Sequence, residues 1–319
     1  MPLPPAAPPL LRYRSLGGPR LGPWHGVIAI ARSSLQLLAR RKLFWALYVI
    51  SLLIFLFYFF GQYLMVFLEQ RVSESLVRTG GVIGRNVRPE LLTKMLREAL
   101  HMDGSADTFG DFMWTEGYIA MVILAFAASV IVGNDFQHHS LPFYLSKPIG
   151  RRHYLLGKAL AVAVVVNAMT TIPAIALFVE YGFIDSWDYY VDQIRLLVGI
   201  LAYGAALTVT LSLLLLVTAT WLRRTVPLVM VWTAGFVLAR VIQRWLVDFL
   251  EMPPEWRLID VWNDMYLFGQ WVFGTDHRLL RPLAQDQPAY WKATAVMVAV
   301  CVACVVYLRR RVRAVEVVA

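Results

Sequence analysis

The chain has 319 residues, 59% of them apolar and 16% charged, with a net charge of +9. Its mean hydropathy of +0.58 and its apolar share exceed those of ordinary soluble domains, where the share is nearer half. This excludes a water-soluble enzyme of usual make-up, and the placement of the charges excludes a nucleic-acid surface as the meaning of the basic surplus.

Residues 1–22 are rich in Pro and lack an apolar core, so they are predicted to be a disordered tail. The first apolar run is too long for a signal peptide and has no small-residue cleavage site, so none is expected. From 23 to 42, Trp24, Val27, Ile28, Ala31, Leu35 and Leu38 recur at helical spacing. Arg32, Gln36 and Arg40 form a polar stripe between them. The pattern predicts an amphipathic helix lying in the membrane interface, with Arg40, Arg41 and Lys42 anchoring the start of the first span.

Residues 23–319 then read as a single transmembrane domain. Leu43–Leu68 is 26 residues without a charge, and Gly117–Gly133, Ala159–Val179 and Leu196–Leu222 are charge-free runs of 17, 21 and 27. A helix needs roughly 20 apolar residues to cross about 30 Å of hydrocarbon, and a soluble helix must turn one polar face to water. Two further runs open at Val226 and close to Tyr290. The expected spans are therefore 43–68, 117–133, 159–179, 196–222, 226–247 and 290–308. Between the first two, Glu90–His101 has helical apolar spacing behind Pro89. Asp185, Asp188 and Asp192 mark an acidic turn between spans three and four. Arg223, Arg224 and Thr225 make a tight turn before Pro227. Residues 248–288 hold Trp256, Trp262, Tyr266, Phe268, Trp271 and Phe273, a density of rings that predicts helices re-entering the outer leaflet before the last span. The fold class is thus all-α, a polytopic membrane protein.

Segments 1–42, 134–158, 220–225 and 309–319 hold 17 of the 30 Lys and Arg but only two acids, Asp135 and Glu316. Positive residues in short loops mark the cytoplasmic side. The expected location is the plasma (inner) membrane, with both termini cytoplasmic and the basic residues against anionic headgroups.

The sequence holds no phosphate loop GxxxxGK[ST], no HExxH and no GxSxG elbow, so no catalytic residues are assigned. No metal site is expected: His138 and His139 are adjacent and diverge. Cys301 and Cys304, the only cysteines, read as small apolar filler within the last span. Among intramembrane polar groups, Asn167, Thr170 and Thr171 stand beside Pro173 in span three. They are either a kink whose hydroxyls re-satisfy the backbone or a polar patch on a translocation path. Arg240 and Arg244 share a face near the outer end of span five, placed to snorkel or to pair with an acid such as Glu180. No paired ionisable groups are expected deep in the spans.

The stretch Gly133-Asn-Asp-Phe-Gln-His-His-Ser-Leu-Pro-Phe-Tyr-Leu-Ser-Lys-Pro-Ile-Gly-Arg-Arg-His-Tyr-Leu-Leu-Gly-Lys158 resembles the loop after the second span in ABC transporter permeases of the type-2 exporter class. Asp135, Ser140–Leu141, Leu145–Ser146–Lys147–Pro148–Ile149, Arg151–Arg152 and Tyr154–Leu155–Leu156–Gly157–Lys158 match that pattern in order. His139 departs from it, standing where Gly is common. The resemblance implies a coupling helix that docks on a separate ATP-binding subunit. Its contact set would be Asp135, Ser140, Leu141, Tyr144, Leu145, Lys147, Pro148, Arg151, Arg152 and Lys158. Ser140 can cap a short helix, Leu141, Tyr144 and Leu145 give it an apolar face, and Pro148 ends it. Arg151, Arg152 and Lys158 are expected to pin its exit to phosphate headgroups. The resemblance also implies a second permease copy or paralogue, no cofactor on this chain, and ATP and Mg held by the partner ATPase. The function expected is ATP-coupled export; an ATP-independent channel or scaffold is the alternative.

Overall fold

A computed structural model describes residues 22–78, 102–133, 150–222, 225–275 and 287–311. Among these residues every regular element is helical and there is no strand. Six helices are long and apolar enough to cross a membrane: Lys42–Leu68, Ala106–Gly133, Arg152–Ile184, Ile194–Trp221, Val226–Phe249 and Tyr290–Arg310. The expected tail 1–22 apart from Gly22, the helix foreseen at Glu90–His101 and the loop 134–149 lie outside the described residues.

Helix α1 (Pro23–Ala39) starts with Pro at its first position, where the missing N–H costs nothing. It buries Val27, Ile30, Ala31, Ser34 and Leu38, while Trp24 and Ile28 stay exposed. The buried face is therefore turned from the one expected, because α1 is packed on protein along its length. At Arg40–Arg41 the chain bends into α2 (Lys42–Arg78). There the Trp45 indole donates to the Ala39 carbonyl at 2.7 Å, taking up an end carbonyl of α1.

Span two is longer than its charge-free run. Helix α3 (Ala106–Ala128) continues through a π turn, Ser129–Gly133. It thus carries Asp107, Asp111 and Glu116, which the sequence reading had placed in the outer segment. Charge alone misplaced that boundary: Glu116 is buried against neighbouring helices, and Asp107 and Asp111 are half-buried in the first turns of the helix. Phe109, Phe112, Met113 and Leu124 of α3 are wholly buried. In its most apolar stretch 71% of span two is buried, against 6% for span one, so span two is the centre of the bundle.

Span three breaks between α4 (Arg151–Met169) and α5 (Thr171–Ile184). The short α6 (Asp188–Asp192) leads to the unbroken span four, α7 (Ile194–Trp221). Tyr189 of α6 donates to the Gly104 carbonyl at 2.7 Å, tying the start of span two to the end of span three. Span five comprises α8 (Thr225–Thr233), a π turn at Ala234–Leu238, α9 (Ala239–Arg244) and a second π turn at Trp245–Phe249. The Trp232 indole donates to the Met121 carbonyl at 3.0 Å, holding span five against span two.

The aromatic segment between spans five and six forms a 3-10 turn, Pro254–Ile259, and α10 (Val261–Phe273). Asp260 caps α10 by accepting from Trp262 N at 3.0 Å. Gly274, at φ 69°, ends it in the left-handed conformation that glycine adopts freely. Trp262, Tyr266 and Phe273 are buried, while Trp256 and Trp271 are exposed, so packing on the bundle accounts for half of the six rings. Helix α11 (Tyr290–Arg311) is span six, where Cys304 is buried, Cys301 lies 3.6 Å from Thr210 Oγ1, and both thiols are free.

Candidate functional site

The described end of the motif-bearing loop begins at Gly150, whose carbonyl accepts from the N–H groups of His153 and Tyr154 at 3.0 and 3.2 Å. Here α4 opens with Arg152 exposed. Tyr154, Gly157 and Lys158 then lie one helical turn apart and face inward. Tyr154 is fully buried. A Cβ on Gly157 would come within 2.8 Å of Ile30 Cβ and 2.9 Å of the Val27 carbonyl. Only glycine lets α1 and α4 approach so closely.

Lys158 is 2% exposed, so the expectation that it reaches headgroups is corrected. Its ammonium donates to Ser34 Oγ of α1 at 3.1 Å and to the Ile131 carbonyl in the π turn of span two. It also lies 5.7 Å from the Tyr154 ring centroid. A buried ammonium persists only when its donors are taken up. The wide turn leaves its carbonyls outside the ordinary α ladder, and the negative end of the span-two dipole adds to the attraction. One side chain thus joins α1, the end of span two and the start of span three. Arg151's side chain is outside the described set, as are Asp135, Ser140, Leu141, Tyr144, Leu145, Lys147 and Pro148.

The polar residues of span three are used within the bundle. Asn167 Nδ2 donates to the Ala163 carbonyl at 2.8 Å and to Thr208 Oγ1 of span four at 2.9 Å. Thr170 Oγ1 donates to the Val166 carbonyl at 2.9 Å, satisfying the backbone at the helix break. Thr171 packs into the space left by Gly204.

Sequence reasoning missed Glu116. It is fully buried in span two, and one oxygen accepts from Ser51 Oγ of span one at 2.6 Å. Glu116 meets a hydroxyl and not a second charge, so it is a single deep carboxyl and not a pair of ionisable groups. The charge-free boundary hid it: Glu116 is the residue just before the run that was read as the span.

At the opposite end of the bundle from Lys158, Arg240 pairs with Asp260 at 3.7 Å and lies over the Tyr118 ring. Its partner is Asp260, not Glu180, because the re-entrant turn folds back over span five. Arg257, nearly buried, donates to Gln243 Oε1 at 3.1 Å and to Asp248 Oδ1 at 2.6 Å. Lys292 of span six binds Glu255 at 2.8 Å, and that contact holds the exposed Glu255 carboxyl below the usual carboxylate range. These ties fix the 3-10 turn across the end of span five and the start of span six.

A family model described as ABC-2 family transporter protein matches residues 28–309. No curated protein matches the sequence. The match runs from α1 to the end of span six and takes in every helix described above. With six candidate spans in this order and a match over most of its length, the chain belongs to the ABC-2 transporter family and is a multi-pass permease subunit of an ABC transporter.

Proposed function

We propose that the chain couples ATP hydrolysis on a separate subunit to export across the plasma (inner) membrane, working as a pair with a second copy or a paralogue. Both termini, α1 and loop 134–149 face the cytoplasm in this reading, as the positive-inside count supports. ATP and Mg belong to the partner, and this chain binds no cofactor. The loop docks on that partner through Leu141, Tyr144 and Leu145, flanked by Asp135, Ser140, Lys147, Pro148, Arg151 and Arg152. Lys158 acts behind this surface and does not touch the partner.

The observation that carries the reading is the Lys158 tie. It fastens together the two elements between which the loop is strung, the end of span two and the start of span three. A push on the loop is therefore delivered to both spans and to α1 as one body, in place of being lost in slack. Coupling of this kind needs different contacts in two states. The path lies between the two copies, since Asn167, Thr170 and Thr171 spend their hydrogen bonds inside one copy.

The test is co-purification with a phosphate-loop ATPase encoded alongside, followed by transport-linked ATPase assays. Leu141→Asp with Tyr144→Asp should abolish stimulation while the permease still inserts. Coupling that survives the double substitution would remove the loop from the mechanism. Purification with no ATPase bound would favour a channel or scaffold.

A further inference from the structure

Where α1 bends into α2, a cavity of about 290 Å³ opens between span one and span two. Its walls are apolar and include Phe44, Leu47, Ile123 and Ala127, while Arg41 and Lys42 stand at its rim. Both cations are exposed, and no acidic side chain among the described residues lines the space. The stretch that carries the two cations offers none either, since residues 22–68 contain no Asp or Glu. On span two, Glu116 lies further along the helix and is engaged by Ser51.

Depth follows from helix geometry. Leu47 is five residues beyond Lys42, or roughly 7.5 Å along the axis. The wall on span two from Ile123 to Val130 runs over about 10 Å. The cavity therefore descends from a charged rim through the upper half of one leaflet, whose hydrocarbon is roughly 15 Å deep. Water is a poor filler for a space with such walls. A molecule with an anionic head and an acyl chain satisfies rim and walls together, and basic pockets between helices bind such headgroups.

We propose that this cavity seats one anionic phospholipid from the leaflet that carries α1. Its phosphate sits at Arg41 and Lys42, and its upper acyl chain wedges between spans one and two. The Trp45–Ala39 hydrogen bond holds the bend, so the two cations stay over the opening. The site is built from α1, α2 and span two, and its test needs no ATPase partner.

The test uses the purified permease alone, in phosphatidylcholine nanodiscs containing a trace of photoreactive phosphatidylglycerol with the reactive group high on its acyl chain. Crosslinks should concentrate on Phe44–Leu47 and Ile123–Ala127. Arg41→Gln with Lys42→Gln should cut them by about tenfold, since each cation near the surface favours an anionic lipid by about as much as a several-fold change. Arg309→Gln with Arg310→Gln, also basic and exposed at a helix end, should leave them unchanged. Ala127→Leu fills the cavity with the charges kept, and should lower crosslinking too. Equal labelling by photoreactive phosphatidylcholine, or crosslinks spread evenly over lipid-facing helices and unmoved by Ala127→Leu, would overturn the proposal.

Discussion

Lys158 shows how a motif residue can be found and yet given the wrong work. The Tyr-x-x-Gly-Lys spacing put Tyr154, Gly157 and Lys158 on one helical face, but a basic residue beside two arginines reads as surface charge. Only the close approach of α1 over Gly157 encloses the ammonium. Replacing Lys158 with Met should remove hydrogen bonds to Ser34 and Ile131, at about 2 kcal/mol for a charged donor. The check is a lower melting temperature in detergent, with Lys158→Arg falling between. Asp264 of α10, outside the spans, offers a second test. It is fully buried and neither carboxylate oxygen has a hydrogen-bond partner among the described residues. Burial, with Asp260 nearby, pushes its carboxyl up to about 8. The folded state therefore holds this proton more tightly than the unfolded chain, whose Asp titrates near 3.9. Between about 4 and 8, stability from this group falls as pH rises. Asp264→Asn should melt higher than the parent at pH 8 and alike at pH 4, and a gap that does not change with pH would refute this.

Among elements, the spans were legible and their ends were not. Length and absence of charge located six runs because lipid tolerates no polar face. The same criterion cut span two short at Glu116, where helix packing, and not lipid, surrounds the side chain. The amphipathic stripe of α1 was likewise visible, but its rotation was not: Ser34 is polar in sequence and buried in fact, because Lys158 supplies its partner. In span five, two π turns each absorb an additional residue, and nothing in Ala-Gly-Phe-Val-Leu announces one. The α9 face that brings Arg240 to Asp260 is thus offset from a plain α reading by about 100°. Deleting Gly235, beside which a Cβ would meet nothing within 4 Å, should convert the first wide turn to α and preserve the Arg240–Asp260 pair. Deleting Met230 from the ordinary helix should lose it. Circular dichroism and melting of the two variants would separate these outcomes.

For the whole molecule, family membership was readable from one loop whose central residues lie outside the described structure, because a sequence motif is a run of side-chain types and not a fold. The outer cap was readable only as an excess of rings; the ionic ties that hold it link residues distant in sequence, such as Glu255 and Lys292, which periodicity cannot join. Burial divides the bundle into an axle, span two, and a rim on which span one is almost uncovered. If two copies meet as proposed, the axle cannot take part, and the seam falls to helices on the rim. Cysteines placed at Phe57 or Phe60, both exposed on span one, should form disulfides between copies if span one is at the seam, while one placed at fully buried Met113 should not. Such a wheel has a further property: cargo moving along its seam would touch the tyres and never the hub. Selectivity could then drift by exchanging rim side chains, while Glu116 and Ser51, deep by the axle, keep the bearing true whatever passes outside.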